Sequence, residues 1–245
     1  LPGYAERGTP RTLTVRVPTC AGSFAQTVTV DAGKAMIGGA GEPPYTDEAT
    51  PPAAAVAVPA FAIDRHEASN AAYRIFLERA EPVGIEPPPY TQNFEPEATQ
   101  AALSPVTRIN AYEASAFCRW QGKRLPTAQE WEKAARGGLA VGEGRNPKPE
   151  RSMPNGGALP TELPPKRSRA VTEHGGDLSP YGVGSMASNV WEWVATPRFE
   201  NDPSWWQLRG GGWSLDLPAR HSLVYRNFRH PLPDVAGHAP DAVGA

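Results

Sequence analysis

GKRLPTAQEWEKAARGG, running from Gly122 to Gly138, frames a short helix between a turn and a pair of glycines. Thr127 and Glu130 stand at T-x-x-E spacing. In that arrangement the threonine hydroxyl accepts from the third helical amide, and the carboxylate reaches back to the cap amide. Pro126 keeps Leu125 extended just before the cap, and Gly137 with Gly138 ends the run. Trp131, Ala134 and Ala135 share one face and supply a buried stripe, and Glu132 with Arg136 makes an i,i+4 ion pair. Framing this tight serves either local structure alone or a helix that sets the position of another part of the chain.

The neighbouring stretches extend the pattern. NAYEASAFCRWQG offers Asn110 as N-cap with Glu113 three residues on, Tyr112, Ala116, Phe117 and Trp120 along one face, and Gly122 as the stop. Two capped helices this close in sequence are expected to pack as one unit. Upstream, SNAAYRIFLERA has Ser69 as cap, a stripe of Ala72, Tyr73, Phe76, Leu77 and Ala80, and Pro82 as the stop; residues 82–105 read as a proline-rich loop. Residues 12–18 (TLTVRVP) and 26–30 (QTVTV) alternate apolar and polar around Gly22 and predict a hairpin. Residues 39–55 read as loop, and Val56, Val58 and Ile63 as a further strand. Residues 138–188 show no sustained periodicity, and a loop of that length is often functional. NVWEWVA then alternates strictly, with Trp191 and Trp193 on one face and Val190, Glu192 and Val194 on the other. LRGGGWS reads as a glycine-interrupted strand open to close approach, and HSLVYRNF (221–228) as the last strand.

Composition narrows the function classes. The 245 residues carry a formal net charge of −2 with dispersed basic residues, which argues against a nucleic-acid or polybasic membrane surface. No apolar run is long enough for a membrane span. The 24 glycines and 28 prolines follow no collagen period and point to long loops. Cys20 and Cys118 are the two cysteines; they either pair or remain separate thiols, with Cys118 packed as a small hydrophobe. GGAGE at Gly38–Glu42 lacks the Lys-Ser/Thr of a phosphate loop, and no G-x-S-x-G block appears.

RLPTAQEWEKAARGG, YGVGSMASNVWEWVA, LRGGGWS followed by YRNF, and FAIDRHEASNAAYRIFL together resemble the signature blocks of the formylglycine-generating enzyme (sulfatase-modifying factor) family, in that family's order. The resemblance runs from about Ala35 to the C-terminus. It implies an α+β fold, a variant of the C-type-lectin fold with little regular secondary structure and long loops, over residues 35–245; residues 1–34 lie outside it and read, from their alternation, as an N-terminal β-hairpin arm. In such a fold the framed helix of Gly122–Gly138 and the 110–121 helix would buttress the sheet that carries ligand-facing strands. The family covers copper-dependent oxidation of a substrate cysteine, iron-dependent sulfoxide synthases, and plain binding modules that include the variable proteins of diversity-generating retroelements, so fold alone does not choose.

The resemblance places two copper thiolates just after the glycine-rich block, at about Leu215 and Arg220 in this chain, and neither side chain is a soft sulfur ligand. Copper is therefore not expected. His221, His230 and His238, with Asp216, Asp234 and Asp241 between them, offer a two-histidine, one-carboxylate set for iron(II), or are exposed loop histidines. The family also implies a calcium loop before NVWEW. Glu192 matches its acidic ligand, Ser185 stands where the family has asparagine, and Ser188 and Val190 offer carbonyls; Asn155 would belong to a second site. The alternative is that Glu192 pairs with a buried arginine or caps backbone amides. Arg209, Arg220 and Arg226 match family arginines and read as ties between loops and acceptors. Trp205 and Trp206, in a loop after Pro203, together with Trp213, Leu215, Asp216, Arg220, His221, Tyr225 and Phe228, form the expected ligand face.

The reading these residues support is a bacterial, non-catalytic binding or sensing module for a protein or small-molecule ligand, in the cytoplasm or at the cell surface or periplasm, with calcium as its metal and an upstream domain before Leu1. The alternatives are a metal- and oxygen-dependent oxidoreductase with a histidine-based site, and a retroelement variable receptor.

Overall fold

The computed structural model describes residues 26–39, 52–80, 102–139, 168–174, 177–199, 202–212 and 227–229. In chain order these hold β1 (Thr27–Val30), β2 (Gly33–Ile37), β3 (Ala54–Val58), β4 (Phe61–Asp64), α1 (Asn70–Ala80), α2 (Ala111–Trp120), α3 (Ala128–Arg136), β5 (Glu192–Phe199), β6 (Asp202–Arg209) and β7 (Asn227–Arg229). The strands form two antiparallel pairs, β1–β4 and β2–β3, and one three-stranded antiparallel sheet in the order β5–β6–β7. Among the described residues, no helix is long and apolar enough to cross a membrane.

Both expected capping boxes form. Asn110 Oδ1 accepts from the Tyr112 and Glu113 amides while Glu113 Oε2 takes the Asn110 amide at 2.6 Å. Thr127 Oγ1 accepts from the Glu130 amide at 3.2 Å and Glu130 Oε2 takes the Thr127 amide at 2.8 Å. These bonds satisfy amides that an open helix start leaves orphaned. Arg124 then grips both oxygens of Glu130, at 2.6 and 2.7 Å.

The core lies in two parts on opposite faces of the β5–β6–β7 sheet. Trp193 and Leu208 pack with Tyr73, Phe76, Ile109, Ala114, Phe117 and Leu125 on the side of α1 and α2. Val194 packs with Trp131, Ala134, Ala135, Val30 and Ile63 on the side of α3, β1 and β4. The two capped helices are thus not one packed unit: they flank the sheet and meet through it. Each has its own tie. Trp193 Nε1 donates to the Ile109 carbonyl at 3.0 Å before α2, while the Ala128 amide donates to Thr196 Oγ1 at 2.9 Å and the Ala195 amide to the Pro126 carbonyl at 2.8 Å.

Several sequence expectations change. Strand 27–30 pairs with Phe61–Asp64, and residues 12–18, its expected hairpin partner, lie outside the described residues. Val56, Val58 and Ile63 belong to two strands, of which β3 begins at Ala54, inside the expected loop. The strand at LRGGGWS lies mostly before the glycines: it runs Asp202–Arg209 and ends at Gly210, whose φ of 76° breaks the extended backbone. On α2 the inward face is Ala111, Glu113, Ala114, Phe117 and Cys118, and Tyr112 is 49% exposed, because the helix turns its alanines to the crowded side of the sheet. Of 221–228, Asn227 and Phe228 fall in β7, and 221–226 lie outside the described residues.

The question of why α3 is framed has a structural answer. Its last turn holds the N-terminal strands. Lys133, 2% exposed, donates Nζ to the Asp31 carbonyl and to the Gly33 carbonyl at 3.3 Å. Glu132 Oε1 accepts the Gly38 amide at 2.8 Å, Arg136 Nη1 donates to the Gly38 carbonyl at 3.0 Å, and the Leu139 amide donates to the Lys34 carbonyl at 2.7 Å. The Glu132–Arg136 pair read from the sequence is present, but it is fully buried. Its carboxylate is shared with Arg209 Nη2 of β6 at 2.7 Å, and the Arg209 guanidinium lies 5.0 Å over the Trp131 ring. Burial lowers the Arg209 pKa and the Glu132 charge opposes that shift.

Candidate functional site

The candidate site gathers where the loop 177–191 enters β5. NVWEWVA alternates as a strand must, so Trp193 faces α2 while Glu192 faces α3, where its Oε2 accepts the Trp131 indole N–H. This indole replaces both partners that the sequence offered for Glu192, a buried arginine and backbone amides. Burial, then the charge of Asp177, pushes the Glu192 carboxyl up to about 8, and the indole hydrogen bond only partly offsets it.

Two further buried carboxylates act on Glu192 or are acted on by it, neither of them singled out from the sequence. Glu67, just before α1, is 5% exposed; burial and then Glu192 raise it well above the ordinary carboxyl value. Its Oε2 takes the Asn189 side-chain amide at 2.6 Å, and its Oε1 has no hydrogen-bond partner among the described residues. Asp177 Oδ2 accepts from the Ala187 amide at 2.9 Å and from Ser188 Oγ at 2.8 Å, and its carbonyl accepts the Ser185 amide at 2.8 Å. Arg169 lies over the same loop: its Nη2 donates to Ser188 Oγ at 3.0 Å and its amide to Asn189 Oδ1 at 2.8 Å.

The loop backbone is unusual. Ser185 and Asn189 adopt φ of 61° and 73°. Asparagine visits this left-handed region more readily than serine does. Gly210, at the end of β6, packs against the loop. A Cβ there would stand 3.1 Å from the Met186 carbonyl and 3.6 Å from that of Val190, so only glycine lets the strand end approach so closely.

The expected metal donors divide. Ser185, Ser188, Val190 and Glu192 are brought together on this loop, all buried. Asn155 lies outside the described residues. The oxygens present are the hard kind calcium takes: the Glu192 carboxylate, the carbonyls of Ser188 and Val190, and Ser185 Oγ, which is buried without a partner among the described residues. Among those residues no group of three or more His, Cys, Asp or Glu is placed to hold a metal ion, so backbone oxygen would have to supply most of any coordination.

Of the expected ligand face, Trp206 is half-buried in β6, opposite Arg229 of β7, and meets the exposed Tyr112 ring edge-on at 6.0 Å. Trp205 and Trp206 therefore lie in a strand, not in a loop, because β6 extends the sheet to Asp202. Phe228 stands opposite Gln207 in the register. Trp213, Leu215, Asp216, Arg220, His221 and Tyr225 lie outside the described residues, as do Arg226, His230 and His238. Tyr112, which its helical stripe assigned to the core, is instead exposed beside Trp206. Glu67, Arg169 and Asp177 were missed because nothing local marks partners so far apart in sequence. Cys118 is 2% exposed among Tyr73, Phe76 and Phe117, and burial pushes its thiol up to about 12; Cys20 lies outside the described residues.

Comparison with known proteins adds to this geometry. A family model described as "Sulfatase-modifying factor enzyme 1-like domain" matches residues 13–235, beginning ahead of the blocks quoted above. "Hercynine oxygenase" of Mycolicibacterium smegmatis is 27% identical over 240 residues, covering 77% of this chain and 54% of that protein. "Inactive C-alpha-formylglycine-generating enzyme 2" of Bos taurus is 38% identical over 144 residues, covering 54% of this chain and 46% of that protein. The chain spans about half the length of these curated relatives. Among solved structures, PvdO from Pseudomonas aeruginosa superposes with a TM-score of 0.58 at 19% identity over 84% of this chain and 88% of that one. Treponema denticola variable protein 1 does so with 0.59 at 18% identity over 89% and 92%. At these identities the two structures show a shared fold of few helices, short sheets and long loops.

Proposed function

The chain belongs to the sulfatase-modifying factor enzyme 1-like family, and from that membership we propose that it is a binding or sensing module without the family's copper-thiol chemistry. The observation that carries the proposal is the chemistry at two positions. Where the family resemblance places paired thiolates, this chain has the hydrocarbon of Leu215 and the guanidinium of Arg220. Cys118 does not substitute for them, since a thiol raised to about 12 in an aromatic core is neither a nucleophile nor a soft ligand at neutral pH. A relative named as inactive is consistent with a member that keeps the scaffold and not the reaction. The ligand face proposed centres on Trp206 of β6 with Tyr112 of α2 beside it, and Trp205, Phe228 and the residues from Trp213 to Tyr225 remain candidates from the sequence.

The test is oxygen consumption by the purified protein with copper(I) and a cysteine-containing peptide, and separately with iron(II). No uptake above the metal-only control is expected. Copper-dependent uptake with conversion of the peptide cysteine would overturn the proposal. A second reading, an oxygen-dependent oxidoreductase with histidine-bound iron, draws on the relatives named hercynine oxygenase. Metal analysis of the purified protein separates the two, because stoichiometric iron favours the oxidoreductase.

We propose further that the loop Ser185–Glu192 takes calcium, with the Glu192 carboxylate, Ser185 Oγ and the Ser188 and Val190 carbonyls as donors. Bound calcium would supply positive charge beside Glu67, Asp177 and Glu192 and hold the loop rigid. A rise in melting temperature on adding calcium to chelator-treated protein, lost in Glu192→Gln, is expected. Identical melting with and without calcium refutes it.

A further inference from the structure

His66 and His174 lie ring on ring, with centroids 5.0 Å apart and planes within 7° of parallel. They come from distant segments: His66 follows β4, and His174 ends the 168–174 segment. The second ring also occupies space that only a glycine leaves open. A Cβ built on Gly184 would stand 2.0 Å from His174 Nδ1 and 2.2 Å from Cε1. Both Nδ1 atoms are buried without a hydrogen-bond partner among the described residues.

We propose that the His66–His174 stack is an acid-operated latch that holds the segment 168–174 over the loop 185–190. Among the described residues the segment has few other ties. Arg169 bonds to Ser188 and Asn189, the Val171 amide donates to the Leu103 carbonyl at 2.9 Å, and the Asp177 amide donates to the His174 carbonyl at 2.9 Å. Neutral rings stack without penalty, whereas two protonated rings place like charges at half a Debye length.

The surrounding charges favour the neutral pair. From the β4 side, Arg65 adds positive charge and donates Nη1 to the Gly182 carbonyl at 3.3 Å; Asp64 opposes it but is bound to Lys123 Nζ at 2.6 Å, and Glu67 is held by Asn189. From the 168–174 segment come Arg169 and the exposed Glu173, and from the loop come Asp177, engaged by Ser188, and Tyr181. The 102–106 segment brings no titratable group. Burial and then Arg65 hold His66 below its ordinary value; burial, then His66, Arg169 and Arg65, do the same for His174. The proposal does not depend on whether the loop binds a cation.

The experiment is hydrogen exchange, corrected for intrinsic rate, on the peptide covering 168–174 as pH falls from about 7.5 to about 5, across the ordinary histidine range. In the wild type a loss of protection of at least about tenfold is expected there, the like-charge cost acting on a local opening, with the α3 peptide unchanged. His66→Phe and His174→Phe keep a stackable ring and remove the titration, so both are expected to hold protection across the range. Equal loss in wild type and variants, or no local loss in the wild type, overturns the latch. Should a variant fold poorly, proton NMR titration of the wild-type imidazoles decides: both midpoints below the ordinary value support the proposal, and either one at or above it refutes it.

Discussion

Glu132→Ala would remove the carboxylate on which α3, β2 and β6 converge. Glu132 is fully buried and accepts from three groups: the Gly38 amide at 2.8 Å, Arg136 Nη1, and Arg209 Nη2 at 2.7 Å. Its loss removes the carboxylate that neutralises two guanidiniums that are 0–1% exposed. Arg136 keeps the Gly38 carbonyl and Arg209 keeps the Trp131 face, but neither partner carries a neutralising charge. Removing one member of a buried ion pair costs about 3–5 kcal/mol, because the remaining charge is left uncompensated. In a chain of this size that is a fall in melting temperature of roughly 6–20 °C. The assay is thermal and urea unfolding of the purified variant beside wild type. A companion variant tests the cause. Glu132→Met combined with Arg136→Met and Arg209→Met removes every charge together, and a well-packed apolar replacement is expected to recover most of the loss. A Glu132→Ala protein within about 0.5 kcal/mol of wild type, the scale of an ordinary surface substitution, refutes the claim that this triad joins the N-terminal strands to the sheet. Failure of the triple variant to recover would show that the geometry of the triad matters and not merely its uncompensated charge.

Three other outcomes follow from the same structure. Glu192, pushed up to about 8, keeps in the fold a proton that the unfolded chain releases above its ordinary value, so chelator-treated protein is expected to lose stability as pH rises from about 4.5 to about 8. Glu113, pushed up to about 7, adds to the same slope in its lower part. Glu192→Gln should flatten the slope, and unfolding curves that stay parallel to wild type across that range would refute the assignment. Gly210→Ala places a methyl 3.1 Å from the Met186 carbonyl at φ 76° and is expected to cost about 1–3 kcal/mol, read by urea unfolding; a neutral result would mean the loop yields. Thr127→Ala removes one half of a capping box and should cost about 1 kcal/mol, whereas Thr127→Ser should cost little, as melting temperatures will show.

The legible part of this protein is the part written within a few residues. Asn110 with Glu113 and Thr127 with Glu130 marked helix starts that the structure reproduces bond for bond. The alternation of Trp191, Glu192, Trp193 and Val194 assigned the two faces of β5, because a strand leaves adjacent side chains no other choice. The family blocks carried the fold. At the candidate site, Glu192 was visible as an inward carboxylate, but its indole partner was not.

What only the tertiary structure decided is who meets whom across long stretches of chain. Glu132 joins Gly38 and Arg209 across separations of 94 and 77 residues, and Asn189 reaches Glu67 across 122. A glutamate four residues before an arginine reads the same on a wet surface as in a sealed core, since its local pattern contains no record of solvent. Burial removes the water that would otherwise serve every partner equally, and chain topology then selects the one partner that remains. The placement of α2 and α3 on opposite faces of one sheet belongs to the same class. Caps fix where each helix begins, but only the competition for apolar area around Trp193, Val194 and Leu208 fixes what it lies against.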